Sequence, residues 1–205
     1  MPRLPGWPLR ALRHRRALPE RQRYLRPSGA DLAPGTALDA GCGEGADARW
    51  LASRGWRVTA VDLAATALRR AREQAAELGA DVAGRIHWVR ADLTTWTPPG
   101  DGFDLVCAHY VHSTAPPGTL LRRLAASVAP DGTLLVVGHH PSDPHHPGGP
   151  PRAAEAQVTA EEMVDSLGPG WDVLVAGTRT RPAGPGPHGP AGTARDAVLR
   201  ARRRP

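Results

Sequence analysis

Four residues between positions 39 and 45 have types and spacing that suit ligand binding. Asp39 ends a short apolar run, and Gly41, Gly43 and Gly45 follow it just before a segment with helical character. Glycines at a strand-to-helix turn let the backbone bend sharply and approach a ligand closely, because they carry no Cβ. We expect the N-terminus of the following helix to direct free N–H groups at that ligand.

The charge of Asp39 narrows the kind of ligand. A glycine pattern alone fits an ordinary strand-to-helix turn or a nicotinamide site as well. A dinucleotide site holds its pyrophosphate at the helix N-terminus, where a carboxylate would repel the phosphates. The same carboxylate suits a ligand that carries an ammonium and a sulfonium group. The loop therefore favours S-adenosylmethionine over NAD.

Three further polar positions follow predicted strands. Asp62 ends the second strand about twenty residues past the glycines, where a carboxylate can accept both hydroxyls of a ribose. Asp92 follows the third strand, within reach of an adenine amino group, and the segment Ala108–His112 follows the fourth. Each aspartate alone is equally well explained as a cap of the next turn or helix. Their joint spacing favours a ligand site.

An alternation of short strands and helices positions these residues. Strands are predicted at 37–39, 57–62, 85–90, 103–108, 133–137, 171–178 and 197–202, and helices at 45–54, 64–78, 119–128 and 159–167. Helices between the first five strands predict parallel pairing with right-handed crossovers. The expected fold class is α/β, a single doubly wound, Rossmann-like domain. Its sheet is mostly parallel, and 197–202 is expected as a last, antiparallel edge strand.

Two local signals refine this expectation. Pro130-Asp131-Gly132 is typical of a turn in which glycine accepts a positive φ. Thr159 and Glu162 have the spacing of a capping box at the start of a helix.

Length and charge limit the domain organisation and the kinds of partner. A chain of 205 residues fits one well-buried domain. We predict an Arg/Pro-rich arm over residues 1–30, poorly ordered or loosely docked, and one domain over 31–205. All 26 basic residues are arginine; residues 1–26 carry +7 and 195–205 carry +4, which leaves −5 of the net +6 for 27–194. Because the core is acidic and only the ends are basic, a nucleic-acid partner is disfavoured.

Cysteine usage and hydropathy suggest the compartment. Cys42 and Cys107 are the only cysteines, which excludes a disulfide framework and a four-cysteine zinc site, and we expect both to be small packed side chains. No apolar run is long enough to span a bilayer, and prolines and arginines interrupt the apolar pieces of the N-terminus. A soluble, cytoplasmic protein without a membrane partner is expected. The sequence leaves the oligomeric state open.

Four histidines fall in a stretch that invites a metal site. They are His139, His140, His145 and His146, and prolines separate the two pairs. Adjacent histidines on an extended chain point in different directions, and residues 139–157 are expected to form a solvent loop. We therefore predict no metal site.

Five segments resemble the successive motifs of class I S-adenosylmethionine-dependent methyltransferases. They are Leu38–Gly45, Val61–Asp62, Ala91–Leu93, Phe103–Val106 and Ala129–Leu135. Two segments, 41–52 and 137–144, are further similar to small bacterial enzymes grouped with the thiopurine and tellurite-resistance methyltransferases.

The resemblance implies S-adenosylmethionine as cofactor and a small-molecule methyl acceptor as partner. It implies the methionine end at the glycine loop, the ribose at the end of the second strand and the adenine after the third. The implied cofactor-binding residues are Asp39, Gly41, Cys42, Gly43, Asp62, Leu63, Asp92, Leu93 and Ala108.

One departure from the family pattern lies at the N-terminus. The helical, aromatic-bearing segment that usually precedes the first strand and covers the cofactor is not recognisable in the first 30 residues. This leaves open a cofactor-binding protein without catalysis, or with a regulatory role. An RNA methyltransferase that uses the basic ends ranks below it.

Candidate catalytic residues follow the fourth strand. A sulfonium methyl is already activated, so alignment of the acceptor supplies much of the rate. If the acceptor carries a proton, His109 and His112 are the candidate bases, with Tyr110 beside them. The alternative is that His109 only packs against the cofactor and His112 lies in a loop.

Overall fold

A seven-stranded sheet with helices on both faces forms the described part of the chain. The computed structural model describes residues 32–98, 100–111, 117–143, 157–183 and 192–205. The strands are β1 Thr36–Ala40, β2 Arg57–Asp62, β3 Ile86–Arg90, β4 Phe103–His109, β5 Val128–His139, β6 Trp171–Ala183 and β7 Gly192–Arg203. The helices are α1 Ala46–Ala52, α2 Ala65–Ala76, α3 Ala80–Ala83, α4 Pro117–Ala126 and α5 Ala160–Leu167.

The strand order places a switch point beside β1. The order across the sheet is β3-β2-β1-β4-β5-β7-β6. Strands β1 to β5 pair in parallel, and β7 pairs antiparallel with both β5 and β6. The predicted doubly wound, mostly parallel sheet is confirmed. In such sheets ligands bind outside the carboxyl ends of the strands, where the direction of winding reverses.

The sheet is buried on both faces, so its central strands are mostly apolar. One core cluster joins Leu105 and Cys107 of β4 to helices α1 and α2, and the other joins Val106 and Ala108 to α4 and α5. Successive strand residues point to opposite faces. His109, two residues after Cys107, is therefore directed to the face that carries α1.

The predicted position of the last strand is wrong. Strand β7 is antiparallel, as expected, but it lies between β5 and β6 instead of at the edge. Its Ala197, Leu199 and Ala201 are fully buried, whereas Val173 and Leu174 of the edge strand β6 are about half exposed. Arginines on both sides of the apolar positions made an edge strand the simpler interpretation of the sequence.

The predicted turn before β5 is also wrong in detail. Helix α4 ends at Ala126, and β5 already begins at Val128. The positive φ, 63°, belongs to Asp131 and not to Gly132. Gly132 is needed for space, because a Cβ there would lie 2.7 Å from Cγ1 of Val128.

The helix predictions agree with the structure apart from their ends. The capping box is present, since Thr159 Oγ1 accepts from the N–H of Glu162 and the Glu162 carboxylate accepts from the N–H of Thr159. The four-residue helix α3 was not predicted. The predicted arm over residues 1–30 lies outside the described residues.

Candidate functional site

The N–H groups of the glycine loop are turned inward. Those of Gly41 and Cys42 both donate to the carbonyl oxygen of Val61, at 2.9 and 3.0 Å. The N–H of Gly43 donates to Oδ2 of Asp62 at 2.8 Å. The loop is thus fastened to the end of β2 and does not offer these donors to a phosphate.

The carboxylate of Asp39, a residue of β1, lies at the N-terminus of helix α1. Its side chain is buried, 2% exposed, and Oδ2 accepts from the N–H of Ala48 at 3.0 Å. The expectation of free N–H groups at this helix is therefore wrong for Ala48. A carboxylate is stabilised there by the helix dipole, and it opposes a second anion at the same place.

Asp62 ties three pieces of the site together. One carboxylate oxygen accepts from Gly43 and the other accepts from the N–H of Ala64, which precedes α2, at 2.8 Å in both cases. The capping role weighed for this residue is thus present. Because each carboxylate oxygen has two lone pairs, capacity remains for two ribose hydroxyls.

Asp92 is exposed at the end of β3. Its Oδ1 accepts from both the N–H and the hydroxyl of Thr94, and these hydrogen bonds hold the pKa of the carboxyl below its ordinary value. Among the described residues Oδ2 accepts no hydrogen bond, so it can face an amino group. Leu63 is 63% exposed beside it, and Leu93 is partly buried against the α4 side of the core.

Two of the glycines are required by close approach. Gly41 has φ 70°, and a Cβ on it would lie 2.7 Å from Cγ2 of Val111, which follows β4. Gly45 has φ 72°, and its Cβ would lie 2.4 Å from the indole of Trp88 on β3. The loop therefore packs against the residue that follows the turn after β4 and against the side chain of Trp88 in β3.

His109, at the carboxyl end of β4, forms a buried pair with Asp47 of α1. Its Nδ1 lies 2.8 Å from Asp47 Oδ2, and the two side chains are 2% and 5% exposed. The sequence did not single out Asp47, because an acidic residue in the first turn of a helix is ordinary there. His112, the other candidate base, lies outside the described residues.

Tyr110, the next residue, is held toward the β6–β7 hairpin. Its φ is 52°, a left-handed conformation that is rare for an aromatic residue. Its hydroxyl donates to Oδ2 of Asp196 at 2.7 Å, and Arg181 Nε donates to the same oxygen at 2.8 Å. His109 and Tyr110 thus connect the end of β4 to opposite parts of the fold.

His139 joins this second cluster, contrary to its predicted place in a solvent loop. His139 ends β5, and its ring centroid lies 4.6 Å from that of Tyr110. One ring nitrogen of His139 and one carboxylate oxygen each of Asp143 and Asp196 lie within 4.8 Å of one another. Because Asp196 already accepts from Arg181 and Tyr110, we interpret this group as an ion-pair network. His140 contacts Ser142 through Nδ1, whereas His145 and His146 lie outside the described residues.

Two predicted cofactor-binding residues, Cys42 and Ala108, are mainly packed, and so is Cys107. Cys42 and Cys107 are both buried, as expected, and neither forms a disulfide. Burial, followed by the charges of Asp39 and Asp47, raises the pKa of the Cys107 thiol well above its ordinary value. The methyl group of Ala108 lies in the core on the α4 side, so its predicted cofactor contact would involve its backbone.

Membrane spans were sought among the helices of the described residues. None of them is both long and apolar enough to cross a bilayer.

Comparison with known proteins identifies the domain around this site. Residues 37–132 match the methyltransferase domain family. An uncharacterized methyltransferase of Mycobacterium tuberculosis is 43% identical over 104 residues, 49% of this chain and 48% of the relative. A ubiquinone biosynthesis O-methyltransferase of Xanthomonas euvesicatoria is 32% identical over 132 residues, 64% of this chain and 52% of the relative.

The fold is shared with solved structures of low identity. TehB from Haemophilus influenzae superimposes with a TM-score of 0.72 at 15% identity, over 88% of this chain and 61% of that one. The chain spans about half the length of the curated relatives it matches. The matched residues include the glycine loop, the three candidate ligand carboxylates Asp39, Asp62 and Asp92, and β4. Residues 37–132 are thus similar to a methyltransferase domain, and the chain has the fold of solved methyltransferase structures.

Proposed function

We propose that the chain binds S-adenosylmethionine and transfers its methyl group to a small-molecule acceptor in the cytoplasm. The observation that carries this proposal is the inward orientation of the loop. The N–H groups of Gly41, Cys42 and Gly43 are used by the end of β2, and Asp39 caps α1. These three N–H groups are not available to an anionic pyrophosphate, whereas a ligand with a cationic methionine end is compatible with the buried carboxylate of Asp39.

Asp62 and Asp92 would bind the nucleoside half of the ligand. Asp62 retains lone pairs for ribose hydroxyls, and Asp92 retains Oδ2 for the adenine amino group. The hydrogen bonds from Thr94 lower the pKa of Asp92 and so favour its ionised form. Leu63, which directly follows Asp62 in the chain, is exposed and offers an apolar surface to a purine ring.

When bound, S-adenosylmethionine supplies an activated methyl group, so the protein's own work is to orient the acceptor and exclude water. His109, at the end of β4, is the described candidate for a proton-accepting role, and this role is part of the proposal. The O-methyltransferase name of one relative makes hydroxyl-bearing compounds the first acceptors to test.

Isothermal titration of the full chain tests the cofactor assignment. We expect S-adenosylmethionine and S-adenosylhomocysteine to bind and NAD to give no heat. Binding of NAD without a response to S-adenosylhomocysteine would overturn the proposal. Binding of both methionine compounds without methylation of any acceptor would favour the non-catalytic alternative.

A further inference from the structure

A cavity of about 360 Å³ lies between helix α4 and the connection from β3 to β4. These two strands are not neighbours, so the connection crosses the sheet past β2 and β1 before β4 begins. Such a crossover is usually a helix. Residues 91–98 and 100–102, the described part of this connection, form none. The connection therefore covers the sheet thinly, and the cavity beneath it has the size of a small-molecule site.

The wall of the cavity is apolar where it meets the sheet and α4. Leu38 of β1, which is 1% exposed, lines it together with Leu93 and with Leu124 of α4. Trp96 of the connection adds a large aromatic side chain to the same wall. A wall of this composition favours a ligand with an apolar body.

The cavity extends away from the cofactor site. Its lining includes residues 100–102, which lead into β4, and Ser127, which precedes β5. These residues lie at the amino ends of the strands, whereas the cofactor is expected at the carboxyl ends. Of the predicted cofactor-binding residues, Leu93 alone lines the cavity. A ligand in the cavity would therefore occupy a second site.

Arg123 of α4 brings a positive charge to this cavity. A guanidinium has five N–H donors, and among the described residues one acceptor is found, the carbonyl oxygen of Trp96, 2.9 Å from Nη2. Nε is enclosed and has no hydrogen-bond partner there. The ion pairs of the described residues involve other arginines. A partly buried cation without a counter-charge is unfavourable, so Arg123 is suited to an anionic ligand.

We propose that this cavity binds a small monocarboxylate, with the carboxylate on Arg123 and the apolar body against Leu38 and Trp96. A planar carboxylate matches the geometry of a guanidinium, whose outer nitrogens Nη1 and Nη2 have donors to spare. Arg123 is the one basic residue of the described lining, so it balances a single negative charge. Asp101, which also lines the cavity, opposes a second one.

Nitrogen-15 NMR of the full chain labelled at tryptophan tests the site without any cofactor. The indole signal of Trp96 is assigned by its loss in Trp96→Phe. The probes are phenylacetate and hexanoate, each with its neutral amide as the matched control. We expect both carboxylates to move the Trp96 signal saturably and the amides to bind about tenfold more weakly, because they lack the charge-assisted contact. No saturable shift with either carboxylate, or equal affinity for acid and amide, would overturn the proposal.

Two arginine variants test which side chain holds the carboxylate. Arg123→Gln should lower the affinity for the carboxylates to that of the amides. Arg122→Gln, the same charge change at the adjacent exposed position of α4, should leave it unchanged. Equal weakening by the two variants would reduce the effect to net charge and would overturn the proposal. If Arg123→Gln fails to fold, the comparison of acid and amide in the unmodified chain still decides.

A third titration, at saturating S-adenosylhomocysteine, separates the cavity from the cofactor site. We expect the carboxylates to bind as before, because the cavity extends toward the amino ends of the strands. Displacement of the carboxylates by S-adenosylhomocysteine would place them in the cofactor site and would overturn the proposal. Since the first titration contains no cofactor, its result does not depend on the proposed function.

Discussion

Nδ1 of His109 lies 2.8 Å from Oδ2 of Asp47, and through this contact the end of strand β4 is joined to the first turn of helix α1. Both side chains are buried, so neither can exchange its partner for water without a rearrangement. The two elements lie on either side of the glycine loop. The pair therefore fixes the position of the first turn of α1 relative to the end of β4.

Replacement of Asp47 should lower the stability of the domain. Asp47→Ala leaves Nδ1 of His109 buried without its partner, and we expect a loss of about 1–3 kcal/mol in the free energy of unfolding. Urea denaturation measures it, with Asp81→Ala on the exposed helix α3 as control. In a double-mutant cycle with His109→Gln the two losses should not add. Additive losses would show that the two side chains do not interact.

Replacement of Asp62 should affect both binding and stability. Asp62→Ala removes the acceptor for Gly43 and Ala64, which should destabilise the fold by about 1 kcal/mol. Loss of the contacts to the ribose should weaken S-adenosylhomocysteine binding by about 1–3 kcal/mol more. Calorimetry and thermal melting separate the two effects. Glu77→Ala, an equal charge change at the far end of α2, is the control. Unchanged binding by the folded fraction would make Asp62 a structural cap only.

Replacement of Gly41 tests the close approach of loop and strand. Gly41→Ala meets two penalties, a left-handed φ of 70° and a Cβ placed 2.7 Å from Val111. The first costs about 1–2 kcal/mol by itself. Adding Val111→Ala should relieve the steric part and leave the backbone part, so the double variant should melt between Gly41→Ala and the unmodified protein. A single variant as stable as the unmodified protein would contradict this packing.

The Cys107 thiol should be inert in the native protein. Because burial raises its pKa, the thiol stays protonated, and its contribution to stability is complete below the pKa of the unfolded thiol. That contribution is lost as pH rises from the unfolded pKa toward the higher folded value. In a Cys42→Ala variant, a disulfide reagent at about pH 8 should label the remaining thiol only after unfolding. Rapid labelling of the folded variant would show that Cys107 is accessible.

The sequence was sufficient to predict the parallel half of the sheet. Helices between apolar strands allow few topologies. Asp62 at the end of β2 and Asp92 after β3 must then both lie at the carboxyl ends of the parallel strands. Caps were predictable where the pattern is local, as at Thr159 and Glu162.

The remaining features depend on long-range contacts. The burial of β7 follows from its neighbours in the sheet, and its own alternation of arginine and apolar residues also fits an edge strand. The contact of Asp47 with His109 joins positions 62 residues apart in the chain. Nothing in the local sequence distinguishes Asp47 from any acidic residue in a first helical turn. The positive φ of Asp131 likewise arises where the start of β5 adjusts its register to β4.

A crystal structure of the full chain with S-adenosylhomocysteine tests the central claim most directly. The account predicts the ribose hydroxyls on Asp62, the adenine amino group on Oδ2 of Asp92, and the methionine end over the loop from Gly41 to Gly43. The loop should keep its inward hydrogen bonds to Val61 and Asp62 when the ligand is bound. A ligand bound elsewhere, or a loop that releases β2 to place its N–H groups on an anion, would contradict the account.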